Sequence, residues 1–234
     1  MRLAVFAYDF PHKKTQDFLL RLFLEGYKVE LVIAAEPVKL HLPESILRVK
    51  PGHVDVLHPA AICRSLDIPY HVLPHSSVEA AELMSSKGID VAIIAGARIL
   101  KTNVIGSTGK GIINFHPGLI PEVRGLDTLK WAIYGDLPLG VTAHFIDERV
   151  DAGRVILRRE IPVYADDTFI DLSIRLEETQ VNMLPEVLGL VKDRNIDEFP
   201  IVTSDKKTNP PMPVELEKEL PEKLEGYVLR RASR

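Results

Sequence analysis

The sequence predicts an α/β fold: a doubly wound, mostly parallel sheet with a short antiparallel extension and a C-terminal tail. Two observations predict the parallel part. Apolar runs of strand length alternate with segments of helical spacing from residue 3 to residue 116. Glycines stand where the helical segments end, at Gly26 and Gly88. A third predicts the extension. Beyond residue 134 two apolar runs follow one another across a tight loop with no helix between them.

Leu3–Tyr8 is a continuous apolar run of the kind a sheet covered on both faces requires. Thr15–Glu25 places Phe18, Leu19, Leu22 and Phe23 on a helical face, and Val29–Ala34 returns as a strand, giving a β-α-β opening. Residues 36–57 carry Pro37, Pro43 and Pro51 and read as a long loop with about one turn of helix. Helices follow over His58–Leu66 and Val78–Lys87, strands over Pro69–Val72 and Val91–Ala95, a short helical segment over Leu100–Ile105, and a fifth strand over Gly111–Phe115. Right-handed crossovers then favour the doubly wound order. Past residue 116 come a helix over Asp127–Tyr134, two antiparallel strands over Gly140–Ile146 and Val155–Val163, and a long helix over Thr168–Val191. The expected organisation is one body over residues 1–192 and a proline- and charge-rich tail over 193–234. That tail either hugs the body or reaches a second subunit as an arm, through the alternating stretch Val214–Tyr227.

The net charge of -4 offers no bulk attraction to nucleic acid or an anionic membrane. The single cysteine, Cys63, excludes an internal disulfide and suits a cytoplasmic location. No stretch approaches the ~20 apolar residues of a membrane span. The segment Gly106–Gly111 looks like a phosphate loop but lacks its spacing and precedes a strand instead of following one, so it reads as a turn.

The chemistry concentrates in Gly111–Gly125 and Asp147–Gly153. Asn114 and His116 stand two apart at the end of a parallel strand, so their side chains share a face at the edge where α/β sheets bind ligands. Pro117 keeps the following backbone extended, and Gly118 and Gly125 permit a tight loop. Asp151, before Ala152 and Gly153, has room beside its carboxylate. Each residue alone reads first as a cap, a packing residue or a turn.

Together, Asn114-Phe-His116-Pro117-Gly118, Leu119-Ile-Pro121, Arg124-Gly125 and Asp151-Ala-Gly153 resemble the signature of the folate-dependent formyltransferases, over Ile93–Val163. That family includes the glycinamide ribonucleotide, methionyl-tRNA and amino-sugar N-formyltransferases. The resemblance implies a Rossmann-like fold, N10-formyltetrahydrofolate as formyl donor, and Asn114, His116 and Asp151 as catalytic residues, with no metal. Asn114 would donate to the oxyanion, His116 would stabilise it or carry the proton, and Asp151 would orient His116 or a water. It implies donor contacts from Arg98, Ile99, Leu100, Ile146, Asp147 and Val150, and places His144 near the site. Candidate acceptor contacts are Phe10, His12, Lys13, Gly118, Arg124 and Trp131, the last by stacking. Lys13 and Lys14 read first as solvated charges.

The acceptor is narrowed by what differs. The loop Tyr8–Lys14 has no glycine, unlike the phosphate-binding loop of the glycinamide ribonucleotide enzymes, and the tail is short for the extra domain of the methionyl-tRNA enzymes. A small-molecule amine, in particular a nucleotide-linked amino sugar, is the expected acceptor. Nucleic acid and membrane are not expected partners, and a homodimer stays open. The alternatives are a glycinamide ribonucleotide formyltransferase-like enzyme and a catalytically silent module that binds folate or a nucleotide.

Overall fold

The computed structural model describes residues 1–39, 44–47, 55–147, 153–202 and 207–232. The sequence-predicted strands and helices of the body all form, with ends shifted by a few residues. The strands are β1 (Leu3–Tyr8), β2 (Val29–Ala35), β3 (Tyr70–Val72), β4 (Val91–Ile94), β5 (Gly111–His116), β6 (Gly140–Phe145), β7 (Gly153–Glu160) and β8 (Ile201–Val202). The helices are α1 (Lys13–Leu24), α2 (Pro59–Ser65), α3 (Val78–Ser86), α4 (Thr102–Ile105), α5 (Thr128–Tyr134), α6 (Phe169–Asp193), α7 (Val214–Glu217) and α8 (Leu220–Arg231). Part of the predicted 36–57 loop, residues 40–43 and 48–54, lies outside the described residues.

The strands form one sheet in the order β3-β2-β1-β4-β5-β6-β7-β8. β1 to β5 are parallel, and β6, β7 and β8 each run antiparallel to the preceding neighbour. This is the Rossmann-like order with an antiparallel extension, and the order reverses between β1 and β4. Side-chain alternation divides the core. Phe18, Ile113, Phe115 and the α6 face pack on one side of the sheet; Phe6, Ala80, Met84, Val104 and Ile112 pack on the other.

β7 starts and stops earlier than its sequence suggests. Gly153 (φ +104°) lies so close to β6 that a Cβ there would come within 2.3 Å of the Phe145 carbonyl oxygen, so the strand can enter the ladder at the glycine. Pro162 has no N–H to extend it. α6 opens with a capping box, in which Thr168 accepts from the Asp171 amide and Asp171 from the Thr168 amide.

In the tail, residues 214–231 are largely helical and pack on the body. Leu220, Tyr227 and Val228 are buried, and the Tyr227 hydroxyl donates to the Leu137 carbonyl at 2.8 Å, just beyond α5. Asn209 bridges Gly125 through paired backbone bonds, its amide donating to the Arg124 carbonyl and its carbonyl accepting from the Leu126 amide. Gly125 (φ +93°) is required there, because a Cβ would lie 2.3 Å from the Asn209 oxygen.

Candidate active site

Asn114 and His116 close β5 on the face that carries Ile112. Phe115 between them points the other way, edge-on to Phe18 at 5.4 Å. β6 runs alongside with Asn114 opposite His144 and His116 opposite Thr142, and a bulge between Ala143 and His144 re-aims the strand beside the site. His144 is buried; its Nδ1 lies 3.2 Å from the Phe145 carbonyl oxygen and its Nε2 lies 3.4 Å from Asn114 Nδ2. A neutral ring that donates from Nδ1 to that carbonyl has a lone pair on Nε2, which accepts from the Asn114 amide and turns its NH2 group toward His144.

His116 is buried with Nε2 3.0 Å from the Val123 carbonyl oxygen. Gly118 makes room for this contact. A Cβ there would sit 2.7 Å from the Val123 oxygen and 2.9 Å from His116 Nε2. Thr142 pins the same loop, donating to the Gly118 carbonyl at 2.7 Å and accepting from the Ile120 amide at 3.0 Å. The Ile120–Pro121 peptide is cis. Asp151 and Val150 lie outside the described residues.

A cavity of about 900 Å³ opens at the carboxyl ends of the strands between α1, α5 and α6, and reaches the chain at Pro117, directly after His116. His12, Lys13 and Lys14 from the start of α1 line it, facing Lys130 of α5 and Glu177 of α6. His12 bonds Thr15 through Nδ1 (2.8 Å), and burial, with Lys14 nearby, lowers its pKa to about 4, so the ring is neutral. Lys13 is held by Asp17 (2.5 Å) and Glu177 (3.7 Å). Lys14, read from sequence as a solvated charge, is turned inward: its ammonium donates to the Phe115 carbonyl at 3.1 Å, and burial lowers its pKa to about 8.

The remaining sequence candidates divide. Leu100 and Ile146 pack into the apolar cluster on the Asn114 side of the sheet, and Ile99 next to them is 78% exposed. Arg98 donates to the Glu36 carbonyl, and Asp147 follows Ile146 where the described part of that loop ends. Tyr8 ties this region to β1 through a 2.8 Å bond from its hydroxyl to the Ala97 carbonyl. Phe10 stacks on Tyr8 at 5.1 Å and is not part of the cavity lining. Three acceptor candidates have contacts of their own. Gly118 is spent on fitting His116, and the Arg124 backbone carries the tail. Trp131 donates from its indole to the Pro210 carbonyl at 2.8 Å, so it anchors the tail and lines no part of the cavity. Sequence reasoning missed Lys14, and it missed Lys130 and Glu217, whose ion pair joins segments 87 residues apart.

Among the described residues no group of His, Cys, Asp and Glu has a metal-binding arrangement, and no helix is long and apolar enough to cross a membrane. The fold and the strand-end residues define a Rossmann-like protein with a polar pair, Asn114 and His116, at the end of β5, whose following residue Pro117 lines a ligand-sized cavity. The family model described as formyl transferase matches residues 68–188, more than half of the 234-residue chain, and the chain belongs to that family. Over 109 residues it is 31% identical to a phosphoribosylglycinamide formyltransferase of Haemophilus influenzae, covering 46% of this chain and 51% of that one. Over 122 residues it is 33% identical to a methionyl-tRNA formyltransferase of Chlorobium limicola, covering 52% of this chain and 38% of that one. The chain therefore spans about half the length, or less, of these curated relatives. Among solved structures it resembles a sugar N-formyltransferase from Shewanella sp FDAARGOS_354, with a TM-score of 0.60 and 19% identity over 89% of this chain and 76% of that one.

Proposed function

We propose that the protein is an N-formyltransferase that moves a formyl group from N10-formyltetrahydrofolate to the primary amine of a small molecule, a nucleotide-linked amino sugar in particular. The observation that carries the reading is the Asn114 amide, oriented by His144 at the end of β5, the strand that leads into the cavity-lining Pro117. The donor fits beside the half-buried Ile146 and the exposed Ile99, over the buried Leu100, where a planar ring system would cover apolar side chains. The acceptor fits the cavity, whose lining mixes apolar walls with His12, Lys13 and Lys14.

The amine nitrogen bonds to the formyl carbon, the carbonyl oxygen takes up negative charge, and the bond from carbon to the donor nitrogen then breaks. Asn114 retains an N–H beyond the one aimed at His144, and donates it to that oxygen as charge builds. His116 takes the proton that the amine sheds and passes it to the departing nitrogen. Asp151, by the family resemblance, orients His116. The similarity to a phosphoribosylglycinamide formyltransferase keeps glycinamide ribonucleotide as the second reading of the acceptor, against which stands the glycine-free loop Tyr8–Lys14.

The test is release of tetrahydrofolate from N10-formyltetrahydrofolate with nucleoside-diphosphate amino sugars and with glycinamide ribonucleotide. Turnover with an amino sugar, lost in His116→Ala and in Asp151→Asn while folate binding persists, is expected. Turnover with glycinamide ribonucleotide alone replaces the acceptor reading. Folate binding without turnover on any amine refutes the enzyme reading in favour of a silent binding module.

A further inference from the structure

We infer that Glu217, in the C-terminal tail, is a positioning residue that sets one wall of the cavity and through it the acceptor the protein admits. The inference rests on the cavity being the acceptor site. It starts from a carboxylate that has no exposure at all yet is fully partnered. Oε1 accepts from Lys130 Nζ at 2.5 Å and from Ser45 Oγ at 2.9 Å; Oε2 accepts from the Ile46 amide at 2.7 Å and the Leu47 amide at 3.4 Å. Lys130 in turn reaches Asp127 at 3.4 Å, and Asp127 accepts from the Met212 amide at 2.9 Å. One carboxylate thus joins the tail, α5 and the segment 44–47.

These segments line the cavity. Ser45 and Leu47 come from the first, Leu126 and Lys130 from around α5, and Pro211 from the tail. The segment 44–47 has no regular secondary structure, so its backbone position depends on what accepts its amides. Glu217 accepts two of them in succession. A buried carboxylate with one cation and three further donors holds one geometry, because any displacement strands a charge in the interior. Segments 44–47 and 209–217 both fall outside the family match at 68–188. β5, α5 and most of α6 lie inside that match, so the wall joins Lys130 of the matched region to two segments outside it. A wall held partly by segments outside the matched region can select the amine independently of the strand-end residues, and in this chain Glu217 holds that wall.

The experiment uses the full chain with Glu217→Ala and Glu217→Gln. Three quantities are measured: amide exchange at Ile46 and Leu47, KM and kcat for a nucleoside-diphosphate-linked amino sugar, and the Kd for tetrahydrofolate. In Glu217→Ala exchange at both amides should quicken about tenfold or more. Acceptor KM should rise about tenfold with kcat less affected and the Kd for tetrahydrofolate within about twofold, the pattern of lost acceptor positioning. Glu217→Gln, which keeps an oxygen for the amides, should fall between and serves if the alanine variant fails to fold. Faster exchange with unchanged acceptor KM overturns the inference while leaving the acceptor reading intact, as does unchanged exchange. Absence of turnover in the unmodified protein refutes the acceptor reading itself, and the inference with it.

Discussion

Replacing Lys14 by methionine should make the protein more stable at pH 7 and less stable near pH 10. The ammonium is burdened by burial, which lowers its pKa from the ordinary 10.5 to about 8. In full, that shift corresponds to about 3 kcal/mol against the folded state wherever the amine is charged in both states, at ~1.4 kcal/mol per unit. The side chain keeps a flank toward the cavity, and screening there reduces the figure to about 2 kcal/mol. Methionine fills a similar volume without the charge but forfeits the bond to the Phe115 carbonyl, about 1 kcal/mol. The variant should therefore gain about 1 kcal/mol at pH 7. The sign follows from proton counting. Between pH 8 and 10.5 the unfolded chain binds more protons at this site than the folded one, so wild-type stability rises with pH across that window. By pH 10 about a quarter of the burden is left, about 0.5 kcal/mol, and the lost hydrogen bond outweighs it. Urea unfolding of both proteins at pH 7 and pH 10 measures the two differences. A difference that does not change with pH means that Lys14 is solvated, and the buried-ammonium account fails.

Two further predictions concern the same region. Gly118→Ala should leave the fold intact but push His116 and the Val123 carbonyl apart, since the new methyl would lie under 3 Å from both. Formyl transfer should drop about a hundredfold or more, and near-wild-type kinetics would show that the loop accommodates a side chain. His12, with its pKa lowered to about 4 chiefly by burial, should make the protein acid-sensitive: from pH 6.5 down to about 4 the unfolded chain takes up a proton that the folded ring refuses, so stability falls as pH drops through that window. An NMR titration should place its midpoint near 4, and a midpoint near 6.5 would remove the prediction.

The parallel half of the sheet was legible because each strand there is buried on both faces and reads as an unbroken apolar run, as in Val91–Ile94. Asn114 and His116 were legible because a period of two fixes their shared face wherever the strand sits. What pairs with them was not. The bond between Asn114 and His144 spans 30 residues, and no local pattern carries it. The contacts of Lys14 and Trp131 were hidden for the same reason. A lysine on a first helical turn reads as solvated until α6 and the end of β5 pack around it, and a tryptophan near a proposed site reads as a stacking surface until the tail, 79 residues later, accepts its N–H. α8 was obscured by Pro221 and Gly226, which weaken the helical signal; its stability comes from Tyr227 and Val228 packing beside α5.

The contact between Glu217 and Ser45 spans 172 residues. A chain emerging from the ribosome delivers β1 to β5 and α5 well before Glu217, and α6 shortly before it, so the core can begin to assemble while the lysine of α5 still lacks its buried partner. Lys130 must stay hydrated until then, and the surface under α8 stays uncovered. The cavity wall is therefore among the last parts to be completed during synthesis, when the core that carries Asn114 and His116 already stands. The order of emergence separates the making of the strand-end site from the making of its selectivity.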